Sequence, residues 1–154
     1  MEIREVGSQD TLELRLKILR PKGSLEDCKF PGDDDPLTKH YGAFFDNFLL
    51  GIVSIYPREH AEFTGIGFQI RAMATDPQAR GKGAGAKLLK KAEVYAFDND
   101  ADYVWANARI SAMEFYRKSE YTIDDNEFHI EGVGPHVIVS KLSTYHAKKT
   151  IGTN

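Results

Sequence analysis

Residues 2–6 alternate polar and apolar (Glu-Ile-Arg-Glu-Val), the period-two pattern of a short strand. The period then lengthens. Leu12, Leu16 and Leu19 recur at helical spacing behind an acidic start at Asp10 and Glu13, and Pro21 and Gly23 end that helix. Two β-rich runs, 41–45 and 48–56, flank Asp46-Asn47 and predict a hairpin. A further strand is predicted over 63–74, broken by Thr75-Asp76-Pro77. Ala84, Leu88, Leu89, Ala92, Tyr95 and Ala96 mark an amphipathic helix over 83–97. Tyr103-Val104-Trp105-Ala106 reads as a buried strand. Ser111 and Glu114 form a capping-box pattern for a helix through Lys118. Segments 121–123 and 137–142 read as closing strands. The predicted order β-α-β-β-β-α-β-α-β-β gives an α/β or α+β fold on a mixed sheet. Residues 21–37 carry three prolines and two glycines, and an irregular stretch that long covers something or carries function.

Composition narrows this picture. The 154 residues suit one domain, taken as 1–145, with a polar tail over 146–154. A chain of this size buries a core without metal or disulfide staples. Twenty basic residues against 23 acidic ones give −3, which argues against a basic coat for nucleic acid. A single cysteine, Cys28, allows no internal disulfide and suits a reducing compartment. The longest nearly apolar run, 48–56, is too short for a membrane span, and the first residues lack a signal-peptide layout. The expectation is a cytoplasmic protein with no nucleic-acid or membrane partner. His60-x-Glu62 and His129-x-Glu131 lack zinc-ligand spacing, and Asp33-Asp34-Asp35 lacks a calcium-loop pattern, so no metal is expected. The acidic triplet is a candidate attractor for a cationic acceptor. A free edge strand leaves a homodimer open.

The chemistry concentrates in Gln78-Ala79-Arg80-Gly81-Lys82-Gly83-Ala84-Gly85, between a predicted strand and a predicted helix. Glycines admit positive φ and close backbone approach. A helix N-terminus favours anions, and Arg80 and Lys82 add charges that suit phosphate oxygens. A P-loop fails here, because the second glycine and the magnesium-binding hydroxyl are missing. The dinucleotide pattern fits at Gly81, Gly83 and Ala86. Its ribose-binding acid does not, since Asp98, Asp100 and Asp102 all precede the next strand.

The run Met73 to Gly85 resembles the central motif of the GNAT (Gcn-related N-acetyltransferase) superfamily, [Arg/Gln]-x-x-Gly-x-[Gly/Ala], with Arg80, Gly83 and Gly85 filling it. Asn107-Ala108-Arg109, Ala112, Phe115-Tyr116 and Lys118 resemble that family's strand-end Asn and Phe-Tyr-x-Lys helix. Gly134-Pro135-His136-Val137 resembles a segment of some small members. The resemblance covers roughly residues 3–142. It implies a mostly antiparallel sheet flanked by helices, with a splayed strand pair forming an acyl-CoA cleft.

It also implies acetyl-CoA as co-substrate and transfer of the acetyl group to a small-molecule or protein amine. Arg80, Gly81, Lys82, Gly83, Ala84 and Gly85 would hold the pyrophosphate. Met73, Thr75 and Asn107 would contact the pantetheine arm, and Ala112 and Phe115 would line the CoA side of the following helix. Tyr116 would be the general acid for the leaving thiolate. A phenol, with a pKa near 10, stays protonated at pH 7 and can donate to such a group. A lysine-like amine needs about 4.6 kcal/mol to lose its proton at pH 7. The strand Gly67 to Met73 offers no acid for that task. Base candidates are therefore His136 first, then Glu59, Glu62, His60 and His40. That gap keeps a non-catalytic acyl-CoA-binding domain as the alternative. Glu120 stands where the family closes the helix with Gly, so the helix is expected to end differently here.

Overall fold

The structure, a computed structural model, describes residues 1–144; the tail predicted over 146–154 lies outside them. The chain forms two compact units. One is Met1–Pro57 with Ile70–Tyr95, and the other is Arg58–Gln69 with the described residues 96–144.

In the first unit, β1 (Glu2–Val6) passes through a 3₁₀ turn, Ser8–Thr11, into α1 (Leu12–Leu14). The helix widens into a π-helical segment, Arg15–Leu19, marked by the bond from Arg20 N to Arg15 O at 3.0 Å. Asp10 does not open the helix. It reaches back to accept the Gly7 N–H at 2.8 Å, because an orphan donor of the first turn is its nearest partner. β2 (Lys39–Phe45) and β3 (Phe48–Pro57) form the expected hairpin. Asp46 and Asn47 both take positive φ, 47° and 69°, whose twist matches the strands. After β4 (Gly67–Thr75) and a 3₁₀ turn, Pro77–Ala79, comes α2 (Ala84–Asp98). Its Leu88, Leu89 and Ala92 are buried as the periodicity requires. A Cβ on Gly51 would lie 3.2 Å from Leu88 Cδ1, so that glycine sets how near α2 approaches β3. On the α1 side, Leu14, Ile52 and Ala74 pack with Ile18, Leu19 and Leu49.

The irregular stretch over 21–37 is bound to this unit by a buried ionic group. Arg15 is fully buried. Its Nη1 donates to Cys28 O (2.8 Å) and Asp33 Oδ2 (2.7 Å). Its Nη2 donates to Asp33 Oδ1 (3.0 Å), Ser54 Oγ (3.0 Å) and Tyr56 OH (3.1 Å). The Tyr56 hydroxyl donates to Asp33 Oδ1, and the Phe30 N–H to Asp33 Oδ2. His40 bridges Ser54 Oγ and Asp33 O. The Phe30 ring lies under the Arg15 and Arg71 guanidiniums, at 4.5 and 4.6 Å. Burial opposes the Asp33 charge, yet Arg15 and the Tyr56 hydroxyl hold its carboxyl below the usual range. Burial and the bond to Asp33 push the Tyr56 phenol up to about 12.

In the second unit, β5 (Tyr103–Arg109) leads through a 3₁₀ turn, Ile110–Ala112, to α3 (Met113–Lys118). Then follow β6 (Thr122–Ile123), β7 (Phe128–Ile130) and β8 (Gly134–Leu142). β7 is absent from the sequence reading. Residues 63–66 are not strand: Phe63 tilts against the Tyr103 ring at 4.9 Å, and Gly65 turns the chain with φ 102°. Ser111 does not cap α3. It falls inside the 3₁₀ turn, and Glu114 pairs instead with Arg117. The sheet order is β1-β2-β3-β4-β5-β8-β6, with β7 on β8. β4 and β5 run parallel, and the ladders of β1 on β2, β2 on β3, and β5, β6 and β7 on β8 are antiparallel. No helix among the described residues is long and apolar enough to cross a membrane.

Candidate active site

The glycine turn is anchored at its entry. The Asp76 N–H donates to Leu50 O (2.7 Å). Its carboxylate accepts from the Gln78 N–H (2.9 Å) and from Lys17 Nζ (2.6 Å). The Lys17 ammonium and then the Gln78 N–H hold that carboxyl below its ordinary pKa. Beyond Ala79, which is buried, Arg80 to Gly83 are exposed. Gly81 and Gly83 take φ 77° and 80°. A Cβ at either would meet nothing within 4 Å, so their missing side chains serve the backbone and leave the space above it open. The first bond of α2 runs from Lys87 N to Gly83 O (3.2 Å), and the N–H groups before it have no intrahelical partner. This is a built anion cradle with Arg80 and Lys82 beside it, and it fits a diphosphate.

Upstream, β4 contains a non-glycine residue with positive φ, Ala72 at 55°, which takes the strand out of regular pleat. The ladder between β4 and β5 ends at Gln69 opposite Trp105. Met73 and Thr75, both half-buried, lie beyond that end.

In the second unit, Asn107 is exposed near the end of β5, opposite Ile138, and Arg109 faces His136. Ala112 and Phe115 are half-buried, and Tyr116 is buried. The Tyr116 ring packs edge-on against Phe115 (5.2 Å) and Tyr121 (5.3 Å). Burial alone raises its phenol pKa.

The expected different helix ending is not found. Glu120 itself takes φ 67°, Tyr121 N donates to Tyr116 O (3.0 Å), and Glu120 N donates to Arg117 O (3.0 Å). That is the bonding of a Schellman close, with Tyr121 against Tyr116 as its apolar contact. A glutamate bears the strain because these two bonds and the ring contact over-determine it.

The base candidates separate by their hydrogen bonds. His40 Nε2 faces the Asp33 carbonyl and must donate, while Nδ1 sits on Ser54 Oγ, so both nitrogens are spent. His60 Nδ1 accepts the Glu62 N–H at 3.1 Å, which puts the neutral proton on Nε2. His136 Nδ1 faces the Gly134 carbonyl at 2.8 Å and must donate, which leaves the Nε2 lone pair available. Glu59 and Glu62 are exposed. The acidic triplet does not draw a cation as a unit. Asp33 is taken by Arg15, Asp34 accepts from Ser8 Oγ (2.9 Å), and Asp35 accepts from the Leu37 N–H (2.8 Å). Lys17 and Gln69 went unnoticed in the sequence; neither sits in a recognisable pattern.

The short parallel ladder on β4 precedes, along the chain, the glycine turn and α2. The acetyltransferase (GNAT) family model matches residues 9–121, and the chain belongs to that family. It is 33% identical over 142 residues, 92% of its length and 95% of the relative's, to an uncharacterized N-acetyltransferase, YitI, of Bacillus subtilis. It shares its fold with an aminoglycoside 6'-N-acetyltransferase solved with coenzyme A (TM-score 0.72, 16% identity, 92% and 97% of the two chains). The same holds for FeeM, an N-acyl amino acid synthase from uncultured soil microbes (TM-score 0.74, 14% identity, 92% and 90%). The protein is an acyl-CoA-dependent transferase.

Proposed function

We propose that the protein transfers an acetyl group from acetyl-CoA to a primary amine by direct attack in a ternary complex. The open turn at Gly81 and Gly83 carries the reading. It offers free N–H groups and unfilled space where a diphosphate needs both. In this reading Arg80, Gly81, Lys82, Gly83, Ala84 and Gly85 hold the diphosphate. Met73, Thr75 and Asn107 bond the pantetheine arm, and Ala112 and Phe115 flank it.

His136 Nε2 takes a proton from the acceptor ammonium, and Gly134 O holds the ring in the tautomer this requires. The amine nitrogen forms the new C–N bond as the C–S bond breaks, and Tyr116 gives its hydroxyl proton to the departing sulfur. A buried phenol stays protonated at neutral pH. The same dry surroundings raise the basicity of a thiolate, which keeps the transfer feasible.

Thiol release over a panel of amines tests this. Tyr116→Phe should lower kcat 10²- to 10⁴-fold with acetyl-CoA affinity unchanged. Wild-type turnover in that variant would remove Tyr116 from the mechanism. Acetyl-CoA binding without turnover on any amine would favour the non-catalytic alternative.

A further inference from the structure

Arg109 and His136 stand directly opposite each other at the end of the β5–β8 ladder, and Phe128 of β7 stands opposite His136 on its other side. Residues paired in register point to one face of the sheet, with Cβ atoms about 5 Å apart. Phe128, His136 and Arg109 therefore form one row across three strands. The Phe128 ring lies tilted against the imidazole at 5.9 Å. His136 is only 4% exposed, Phe128 is half-buried and Arg109 is exposed. The solvent-facing flank of the imidazole is the one it shares with Arg109.

Arg109 lacks a counter-charge. Among the described residues it forms no ion pair, unlike Arg117, which pairs with Glu114. The nearest positions on its face, Asn107 along β5 and Gly134 and Ile138 diagonally across on β8, carry no charge.

An unpaired cation is out of place beside a base that takes a proton from an ammonium. The two positive charges repel, and no neighbour on this face offsets them. An acceptor that brings its own anion removes the conflict. A guanidinium takes a carboxylate through two parallel N–H···O bonds, and an amino acid arrives as a zwitterion with no net charge. Because Arg109 and His136 are adjacent across the ladder, the two groups of such an acceptor lie close together, as the carboxylate and amine of an amino acid do. Resting on the reading of His136 as base, we propose that the acceptor is a free amino acid and that Arg109 binds its carboxylate. The bond changes are those of the acetyl transfer, and the carboxylate passes through unaltered.

The probes are the standard amino acids, each matched to the amine that its decarboxylation gives, such as phenylalanine with phenethylamine and histidine with histamine. Thiol release is followed with the full chain, wild type, Arg109→Gln and Arg109→Lys. In wild type the best amino acid should exceed its matched amine at least 10-fold in kcat/KM. Arg109→Gln should bring that ratio to within twofold, chiefly through KM, and Arg109→Lys should keep part of it. A ratio that survives Arg109→Gln overturns the proposal. So does turnover of no amino acid, or of each amine as fast as its amino acid. Calorimetric titration of acetyl-CoA separates this inference from the reading beneath it. Equal affinities in wild type and Arg109→Gln keep Arg109 with the acceptor. A weaker affinity in the variant would place its charge on the donor, which overturns the inference and leaves acetyl transfer standing. No binding to wild type removes both.

Discussion

Two sets of buried polar groups in this molecule are built on opposite terms. Around Arg15, every polar group but the Arg15 Nε, which is buried without a hydrogen-bond partner, is bonded. The guanidinium, the Asp33 carboxylate, the Tyr56 and Ser54 hydroxyls and both nitrogens of His40 bond one another or the backbone. On the face that carries Gln69 and His136, valences are left over: an amide oxygen has no partner and an imidazole keeps its lone pair. A saturated network holds a chain in place and has nothing to give a substrate. An unsaturated one costs stability and keeps bonding capacity to spare. Five titratable groups were candidates for the base. Burial does not separate His40 from His136, since both are about 4% exposed; spare bonding capacity does.

The largest expected effect comes from breaking the saturated side. Asp33→Ala leaves Arg15 buried and uncompensated, which should cost about 3–5 kcal/mol, read as a large fall in denaturation midpoint. The acid limb carries the same information. The folded carboxyl lies below its unfolded value, so its contribution is complete above about pH 4 and is lost as the pH falls through the folded pKa. In Asp33→Ala that part of the acid dependence should be gone. Replacing both partners, Arg15→Met with Asp33→Leu, should recover much of the loss. If the single variant were as stable as wild type, the saturated group would not be what binds the 21–37 stretch.

Gly83→Ala probes the open side. At φ 80° an alanine strains the backbone by about 1–2 kcal/mol, and its methyl enters space that is empty of protein atoms. The comparison predicts a modest loss of stability and a larger loss of acetyl-CoA affinity, at least 10-fold by calorimetry. Equal and small losses in both would mean that the space is not used.

The sequence disclosed these regions unequally. The glycine turn was legible because its φ values demand glycine and its charges sit in the same few residues. The hairpin was legible because Asp46-Asn47 tolerates two positive φ values in a row. The Arg15 group was not, since Arg15 meets Asp33 and Tyr56 from 18 and 41 positions away along the chain. Within a helical pattern it reads as a solvated cation. Ser111 was misread because its capping box competes with a 3₁₀ turn that begins one residue earlier. β7 is three residues of Phe-His-Ile and carries no periodicity to detect. Gln69 is ordinary in sequence; only the burial of its amide without a partner makes it informative.

The smallest effect concerns strain. Glu120 holds a positive φ beside the residue read as the general acid, and strain near a reacting group invites the suspicion that it is functional. The bonding argues otherwise. The Schellman bonds from Glu120 and Tyr121 use backbone atoms alone, and the contact that steadies Tyr116 is the Tyr121 ring. Glycine at 120 keeps all of these and removes the Cβ penalty, at the cost of greater freedom in the unfolded chain. Glu120→Gly should therefore raise stability by about 0.5–1 kcal/mol, a shift of a few degrees, with kcat unchanged. Unchanged turnover would place this strain with the saturated, structural groups. A fall in kcat alongside the gain in stability would show that the glutamate takes part in orienting the phenol, and the division between the two kinds of site would then have to be redrawn at the end of α3.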